Sequence, residues 1–157
     1  MGALNRIRNA GYDGIELNRF MIHPSSLMVR ALTKAAGMPT GNGGKLDWHE
    51  LISGSGLSVI SLHADLGSLE KETDEVMKEA KSFETDTVVI TGMYRFDYGN
   101  EASLKDLAKR LNQTGNVLKQ SGIRLLYHNH NAEFLQVQRG CSAYRLLQQE
   151  TNPEMVN

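Results

Sequence analysis

Strand-like and helix-like segments alternate along this 157-residue chain, and that alternation restricts the possible folds more than any other feature. Short apolar runs of strand length begin near Ile15, Ser58, Thr87 and Arg124. Amphipathic segments with apolar residues at helical spacing separate these runs. Strands that alternate with helices pair in parallel through right-handed crossovers. The sequence therefore predicts an α/β protein built on a parallel sheet.

The spacing of the strands indicates what kind of sheet this is. Successive strand starts are 29 to 43 residues apart, which is compatible with the roughly 30 residues of each β/α unit in a TIM barrel of about 250 residues. Only four strands are predicted, half of the number that closes such a barrel. The predicted strands cover residues 14–17, 57–62, 87–90 and 123–126. The predicted helices cover residues 4–10, 27–36, 47–53, 68–83, 101–120 and 142–150, with a glycine-rich loop at 37–44.

Composition excludes several classes of protein. The 17 basic and 18 acidic residues are balanced and form no basic block, so the electrostatic footprint of a nucleic-acid-binding protein is missing. No apolar run approaches the length of a membrane span. The single cysteine, Cys141, allows no intrachain disulfide and gives no zinc-site pattern. We expect one cytoplasmic domain, residues 1–157, without a membrane anchor.

A cluster of ligand-type side chains follows the last predicted strand. His128, His130 and Glu133 come directly after the apolar run 123–126, at the carboxyl end where α/β sheets and barrels bind their ligands. Side chains two residues apart on a strand share a face. We therefore expect His128 and His130 to project the same way, with Glu133 a short step beyond. Two imidazoles and a carboxylate suit a divalent metal or an acid/base pair.

Three further residues are candidates for contact with a substrate. His63 ends the strand 57–62, where it either contacts a ligand or is a satisfied structural histidine. Glu16 lies in an apolar strand, where an unpaired buried carboxylate would be costly, so it either contacts substrate or pairs with a cation. Tyr94 follows the strand 87–90, where it either forms a wall of a sugar pocket or packs in the core or at its rim.

Three segments together resemble the xylose-isomerase-like TIM barrels. They are Gly11–Leu17 (GYDGIEL), Leu57–His63 (LSVISLH) and Gly122–Phe134 (GIRLLYHNHNAEF). The likeness covers nearly the whole chain in the right order, and the third segment is the most specific. That superfamily groups sugar and sugar-phosphate isomerases and epimerases with inosose dehydratases and endonuclease IV.

The resemblance implies a function and a set of roles. It implies a sugar or sugar-phosphate isomerase or epimerase that shifts a proton or a hydride beside a carbonyl, with a divalent metal such as manganese, magnesium, zinc or cobalt. His128, His130 and Glu133 would then be catalytic, and His128 and Glu133 would bind or flank the metal. Substrate contacts would come from Glu16, His63 and Tyr94.

The sequence departs from the family pattern in two ways. Many relatives have a metal-binding glutamate near the position of His128, and they take three further ligands from later strands. On this alignment the chain holds strands two to five of eight. We therefore expect little isomerase activity from the chain alone. Because unpaired sheet edges promote association, we also expect it to form a homo-oligomer or to depend on the missing half of the barrel.

Two other functions stay open at this point. A self-contained doubly wound domain could act as a non-catalytic binding module, with the histidines at an open-sheet crevice and no metal. A metal-dependent hydrolase or an abasic-site nuclease of the same superfamily is the second alternative, and the balanced charge speaks against a nucleic-acid substrate.

Overall fold

The structure is a computed structural model that describes residues 2–23, 35, 44–93, 95–138 and 140–157. The predicted helix 27–36 and the glycine-rich loop 37–44 lie outside these residues, apart from positions 35 and 44. The α-helices are α1 (Ala3–Asn9), α2 (Arg19–Ile22), α3 (Trp48–Ser55), α4 (Leu66–Lys71), α5 (Thr73–Ser82), α6 (Glu101–Gln120) and α7 (Ala143–Glu150). The strands are β1 (Gly14–Asn18), β2 (Ser58–Ala64), β3 (Thr87–Thr91), β4 (Arg124–His128), β5 (Gln136–Gln138) and β6 (Cys141–Ser142).

Four strands form one parallel sheet in the order β1-β2-β3-β4. β3 and β4 pair from Thr87 opposite Arg124 to Thr91 opposite His128. The carboxyl ends of these two strands therefore lie side by side. The predicted α/β fold, with four strands in sequential order, is confirmed. The short strands β5 and β6 form a separate antiparallel pair.

The chain divides into two compact units, residues 1–62 and 63–157. In the first unit the indole Nε1 of Trp48 donates to the carbonyl of Met21 over 3.0 Å. Gly14 permits a close contact, because a Cβ at this position would lie 2.6 Å from Cγ2 of Ile60. The expectation of a single domain over residues 1–157 stays a prediction.

The core of the second unit is built around α6, the long amphipathic helix. Its N-cap is Asn100, whose side chain accepts from the Ser103 amide over 3.0 Å, and it ends before Gly122, which has a φ of 75°. The predicted apolar stripe of α6 is buried, as are Ile123 and Leu125 of the segment that follows. The stripe comprises Leu104, Leu107, Ala108, Leu111 and Leu118. Within the part of the chain described, neither α6 nor any other helix has the length and apolar character to cross a membrane.

The predicted helix 68–83 is two helices. α4 begins after Asp65, whose carboxylate accepts from the Ser68 amide over 2.8 Å. Glu72 then leaves the helical conformation, with φ −125° and ψ 34°, and α5 begins after it. The break was not predicted because the buried residues Leu69 and Val76 continue one apolar stripe across it.

The last described residues pair with β4. Val156 forms a parallel bridge with Leu125. The Tyr127 amide donates to the Asn157 carbonyl over 2.7 Å, and the Asn157 amide donates to the Leu125 carbonyl over 3.0 Å. The last described residues therefore lie alongside β4, held by one isolated parallel bridge and two backbone hydrogen bonds.

Candidate functional site

Polar side chains meet at the carboxyl ends of three strands. His63 lies near the end of β2, Thr91 ends β3, and His128 ends β4. Nδ1 of His63 is 3.0 Å from Oγ1 of Thr91, and Thr91 is the register partner of His128. His63 is buried, whereas His128 is exposed. The carboxyl edge of the sheet therefore presents one anchored and one accessible imidazole.

Three imidazole rings form what we call the imidazole cluster: His63, His128 and His130. The rings of His128 and His130 are stacked, with centroids 4.9 Å apart and planes inclined by 11°. The ring of His63 meets that of His128 edge-on, with a centroid distance of 6.0 Å. The prediction that His128 and His130 project the same way is confirmed. Both rings are accessible, because both residues are exposed.

Glu133 lies in a short 3₁₀ turn, Ala132–Phe134, and has 0% of its surface exposed. Its Oε1 accepts from the Tyr127 hydroxyl, and its Oε2 accepts from the His130 amide, each over 3.0 Å. Both oxygens of Glu133 therefore act as acceptors. The two donors offset the cost of burying this polar group.

The carboxylate ends a chain of hydrogen bonds that we call the tyrosine–glutamate network: Tyr98, Tyr127 and Glu133. The hydroxyls of Tyr98 and Tyr127 are 2.9 Å apart, and the Met93 amide donates to the Tyr98 hydroxyl over 3.1 Å. Because Tyr127 donates to Glu133, its oxygen accepts from Tyr98, so all donors point toward the carboxylate. Burial raises the pKa of Tyr127 and that of Tyr98 above the usual value of a phenol. Both hydroxyls therefore stay protonated at neutral pH.

Gly92 follows β3 and allows the His130 ring to come close. A Cβ on Gly92 would lie 2.9 Å from Nδ1 of His130. Gly92 also has a φ of 40°, in the region that glycine adopts most easily, and its amide donates to the His128 carbonyl over 3.2 Å. Gly92 thus leaves space for the His130 ring and donates a hydrogen bond to the backbone of His128.

The structure brings together His63, His128, His130 and Glu133 of the residues that the sequence indicated. Glu16 is exposed and accepts from the Ser61 hydroxyl over 3.0 Å, so the premise that it is buried in its strand was wrong. Tyr94 lies outside the described residues.

Tyr98, Tyr127 and Gly92 were missed by sequence reasoning. Tyr127 directly precedes His128 on β4. Because side chains alternate between the two faces of a strand, sequence reasoning placed Tyr127 on the face opposite to His128 and did not connect it with the site. Tyr98 gives no local signal, since its link to Tyr127 spans 29 residues.

The residues present do not fit a metal ion by themselves. Among the described residues, no group of three or more His, Cys, Asp or Glu side chains is arranged to hold one. Glu133 uses both oxygens for hydrogen bonds to Tyr127 and His130 and has no exposed surface. A metal role for His128 and Glu133 therefore stays a prediction.

Comparison with known proteins identifies the fold. The family model described as xylose isomerase-like TIM barrel matches residues 4–154. The chain belongs to the xylose isomerase-like TIM barrel family. The suspected resemblance is thereby confirmed. In barrels of this type the carboxyl ends of the strands form the face that carries the active site, and the imidazole cluster lies on that face.

Two solved structures, both of sugar phosphate isomerase/epimerases from Parabacteroides distasonis ATCC 8503, are similar to this barrel. One has a TM-score of 0.72 at 19% sequence identity, and the other a TM-score of 0.67 at 21%. Each alignment covers 98% of this chain and 59% of the other protein. This likeness shows the fold, and the chain spans little more than half the length of these relatives. No curated protein matches the sequence significantly.

Proposed function

We propose that the imidazole cluster is part of the active site of a sugar or sugar-phosphate isomerase/epimerase that moves a proton beside a carbonyl. The observation that carries the proposal is the meeting of His63, His128 and His130 at the carboxyl ends of β2 and β4, with ring centroids 4.9 and 6.0 Å apart. Membership of the barrel family supports the reaction class. The two similar structures are sugar phosphate isomerase/epimerases, which supports the substrate class.

The cluster has the chemistry that such a reaction needs. Imidazole changes its charge near neutral pH and is the commonest general acid/base in enzymes. In our proposal the exposed His128 takes the proton from the carbon next to the substrate carbonyl. The electron pair of that C–H bond moves toward the carbonyl, whose oxygen becomes an enolate or enediolate oxygen. Return of the proton to the former carbonyl carbon, while the neighbouring hydroxyl passes its proton to the enediolate oxygen, gives the isomer. Delivery of a solvent proton to the original carbon from the opposite face, with loss of the His128 proton to solvent, gives the epimer.

The other two imidazoles have different surroundings, and we assign them different parts. His130 is exposed and stacked on His128, so it hydrogen-bonds a substrate oxygen next to the base. His63 is 6% exposed and lies 3.0 Å from the Thr91 hydroxyl. That contact fixes its ring, and we propose that His63 orients the carbonyl end of the substrate.

A divalent metal stays a proposal that rests on the family. The described residues supply too few ligands for one, so a metal would need ligands from elsewhere in a complete barrel. When bound, it would polarise the substrate carbonyl as a Lewis acid. The proton transfer proposed above is assigned to the imidazoles alone.

We further propose that the chain forms a homo-oligomer or acts together with further barrel strands. The basis is the four-stranded sheet and the 59% coverage of the similar structures. Light scattering should then give a mass above the 17.4 kDa of one chain. A stable monomer that carries full activity would contradict this.

Solvent deuterium exchange tests the reaction class. The chain is incubated in D₂O with a panel of ketose and aldose phosphates, at protein concentrations comparable to those of the substrates because turnover is expected to be low. We expect deuterium to enter the carbon beside the carbonyl of one substrate, faster than in buffer. The exchange should be lost in His128→Ala and kept in His49→Ala, a control histidine of α3 outside the cluster.

The other outcomes separate the alternatives. Isomer formed without deuterium indicates a hydride shift and overturns the proposed proton transfer. Binding of a sugar phosphate without exchange or isomer formation favours the non-catalytic binding module. Exchange that persists in His128→Ala removes His128 from the role of base.

A further inference from the structure

Glu133 is a fully buried carboxylate, and its position next to the imidazole cluster calls for a role. It lies three residues after His130 and six after Tyr127, with 0% of its surface exposed. A buried charge costs free energy unless it is fully hydrogen-bonded. The donors that hydrogen-bond to Glu133 therefore indicate which parts of the structure it holds together.

Each oxygen of Glu133 has a separate donor. Oε1 accepts from the Tyr127 side chain on β4, and Oε2 accepts from the His130 backbone in the loop after β4. The single carboxylate thus ties the loop back to the strand. An ion that approached either oxygen would meet no exposed carboxylate surface.

The network extends to the loop after β3. Tyr98 joins its hydroxyl to that of Tyr127 and accepts from the Met93 amide. Met93 adjoins Gly92, which is in close contact with the His130 ring. The loops that follow β3 and β4 are therefore connected both by direct contact and through the buried network.

We propose that Glu133 is a positioning residue and not a metal ligand: with Tyr98 and Tyr127 it fixes the loop that presents His130 beside His128. The hydrogen bonds of the network do not depend on a bound substrate, whereas the positioning role rests on the proposed function of the imidazole cluster. This proposed role differs from the metal ligation that the family resemblance implies for Glu133.

Glu133→Gln probes the charge with almost no change in volume. If its amide oxygen accepts from the His130 amide, its NH₂ group faces Tyr127, whose hydroxyl must turn to donate to Tyr98. In the wild type the Tyr98 hydroxyl donates its proton to Tyr127, so in the variant this proton loses its acceptor. The neutral amide is also a weaker acceptor than a carboxylate, because hydrogen bonds to charged groups are roughly twice as strong.

The test uses NMR of the isotopically labelled chain without substrate. Glu133→Gln should move the ring resonances of His128 and His130 and make the His130 amide exchange with solvent roughly 10-fold faster, as expected for weakening a charge-assisted bond. Tyr127→Phe should move the same ring resonances. The matched control is Tyr144→Phe, because the Tyr144 ring packs near Phe134 while its hydroxyl has no hydrogen-bond partner among the described residues. The control should leave both rings unchanged.

A milder variant and a direct metal titration complete the test. Tyr98→Phe removes only the far hydroxyl and should move the rings less, which keeps the proposal testable if Glu133→Gln does not fold. On addition of MgCl₂ or ZnCl₂, the carboxyl ¹³C signal of Glu133 should show no saturable shift.

Either of two results would overturn the proposal. One is a saturable metal-dependent shift of the Glu133 carboxyl signal, which would make it a ligand. The other is a set of folded network variants whose His128 and His130 rings are unmoved, which would leave Glu133 with a role in stability only. Neither readout involves turnover, so failure of the deuterium-exchange assay and failure of this proposal are distinguishable.

Discussion

Gly115 in α6 is the position where a single methyl group should disturb the strand that carries the site. A Cβ on Gly115 would lie 2.2 Å from the carbonyl oxygen and 2.8 Å from the carbonyl carbon of Met155. Both are backbone atoms, which cannot turn away as a side chain can. Met155 directly precedes Val156 and Asn157, which pair with β4.

The expected cost can be worked out from these contacts. Ordinary carbon contacts lie at about 3.5–4.0 Å, so the segment around Met155 must move by about 1 Å. Overpacking of this kind costs about 1–3 kcal/mol. The shift also weakens the two backbone hydrogen bonds of Asn157 with β4, each worth about 0.5–1.5 kcal/mol. Alanine is the better helix former by about 1 kcal/mol, so we expect a net loss of about 2 kcal/mol in the free energy of unfolding.

Gly54→Ala is the matched control. Gly54 lies in α3, and a Cβ there would meet no atom of the described residues within 4 Å. The same substitution should therefore stabilise the protein by about 0.5–1 kcal/mol through helix propensity alone. Chemical denaturation gives the free energy of unfolding of both variants. In thermal denaturation, Gly115→Ala should lower Tm by about 4–8 °C. Hydrogen exchange of the Tyr127 amide, which donates to Asn157, should also become faster. If Gly115→Ala were as stable as Gly54→Ala, the packing described here would be incorrect.

Three further predictions concern the site and its supports. Gly92→Ala should displace the His130 ring, because its Cβ would lie 2.9 Å from Nδ1, and should cost about 1 kcal/mol for the left-handed backbone; an unchanged His130 resonance would contradict this. The Arg110 guanidinium, which forms two hydrogen bonds with Glu70, lowers the pKa of that carboxyl below its usual 4.5. The stability that this pair adds is present above pH 4.5 and is lost as pH falls through the lowered pKa, so wild type and Glu70→Gln should converge in urea denaturation once the pH is below that lowered pKa. Burial raises the pKa of Tyr127, so the stability that its protonated hydroxyl adds is complete below about pH 10 and is lost as pH rises further. The ultraviolet difference spectrum between wild type and Tyr127→Phe should therefore show no phenolate absorption at about pH 10.

The fold and the shared direction of the His128 and His130 rings were predictable from local sequence patterns. The alternation of apolar strands with amphipathic helices predicted the parallel sheet, and the position of His128 and His130 after an apolar run predicted paired imidazoles at its carboxyl end. Both inferences use the periodicity of neighbouring residues, which the chain alone determines.

Features that depend on distant contacts were not predictable. Glu133 looks like an accessible ligand in the sequence, but a short 3₁₀ turn carries it into a position with no exposed surface. The tyrosine–glutamate network extends from Glu133 to Tyr98, which is 35 positions away in the sequence. No local sequence pattern indicates that link. Glu16 shows the reverse case, since it lies between apolar residues yet is exposed.

In our proposal the imidazole cluster binds the substrate at the carboxyl end of the sheet. The most direct test is a titration of the ¹⁵N-labelled chain with ketose phosphates, followed through the imidazole resonances. We predict saturable shifts of His63, His128 and His130, with His49 of α3 unmoved, and loss of binding in His128→Ala. Shifts confined to His49, or saturable binding that leaves all three rings of the cluster unmoved, would contradict the account.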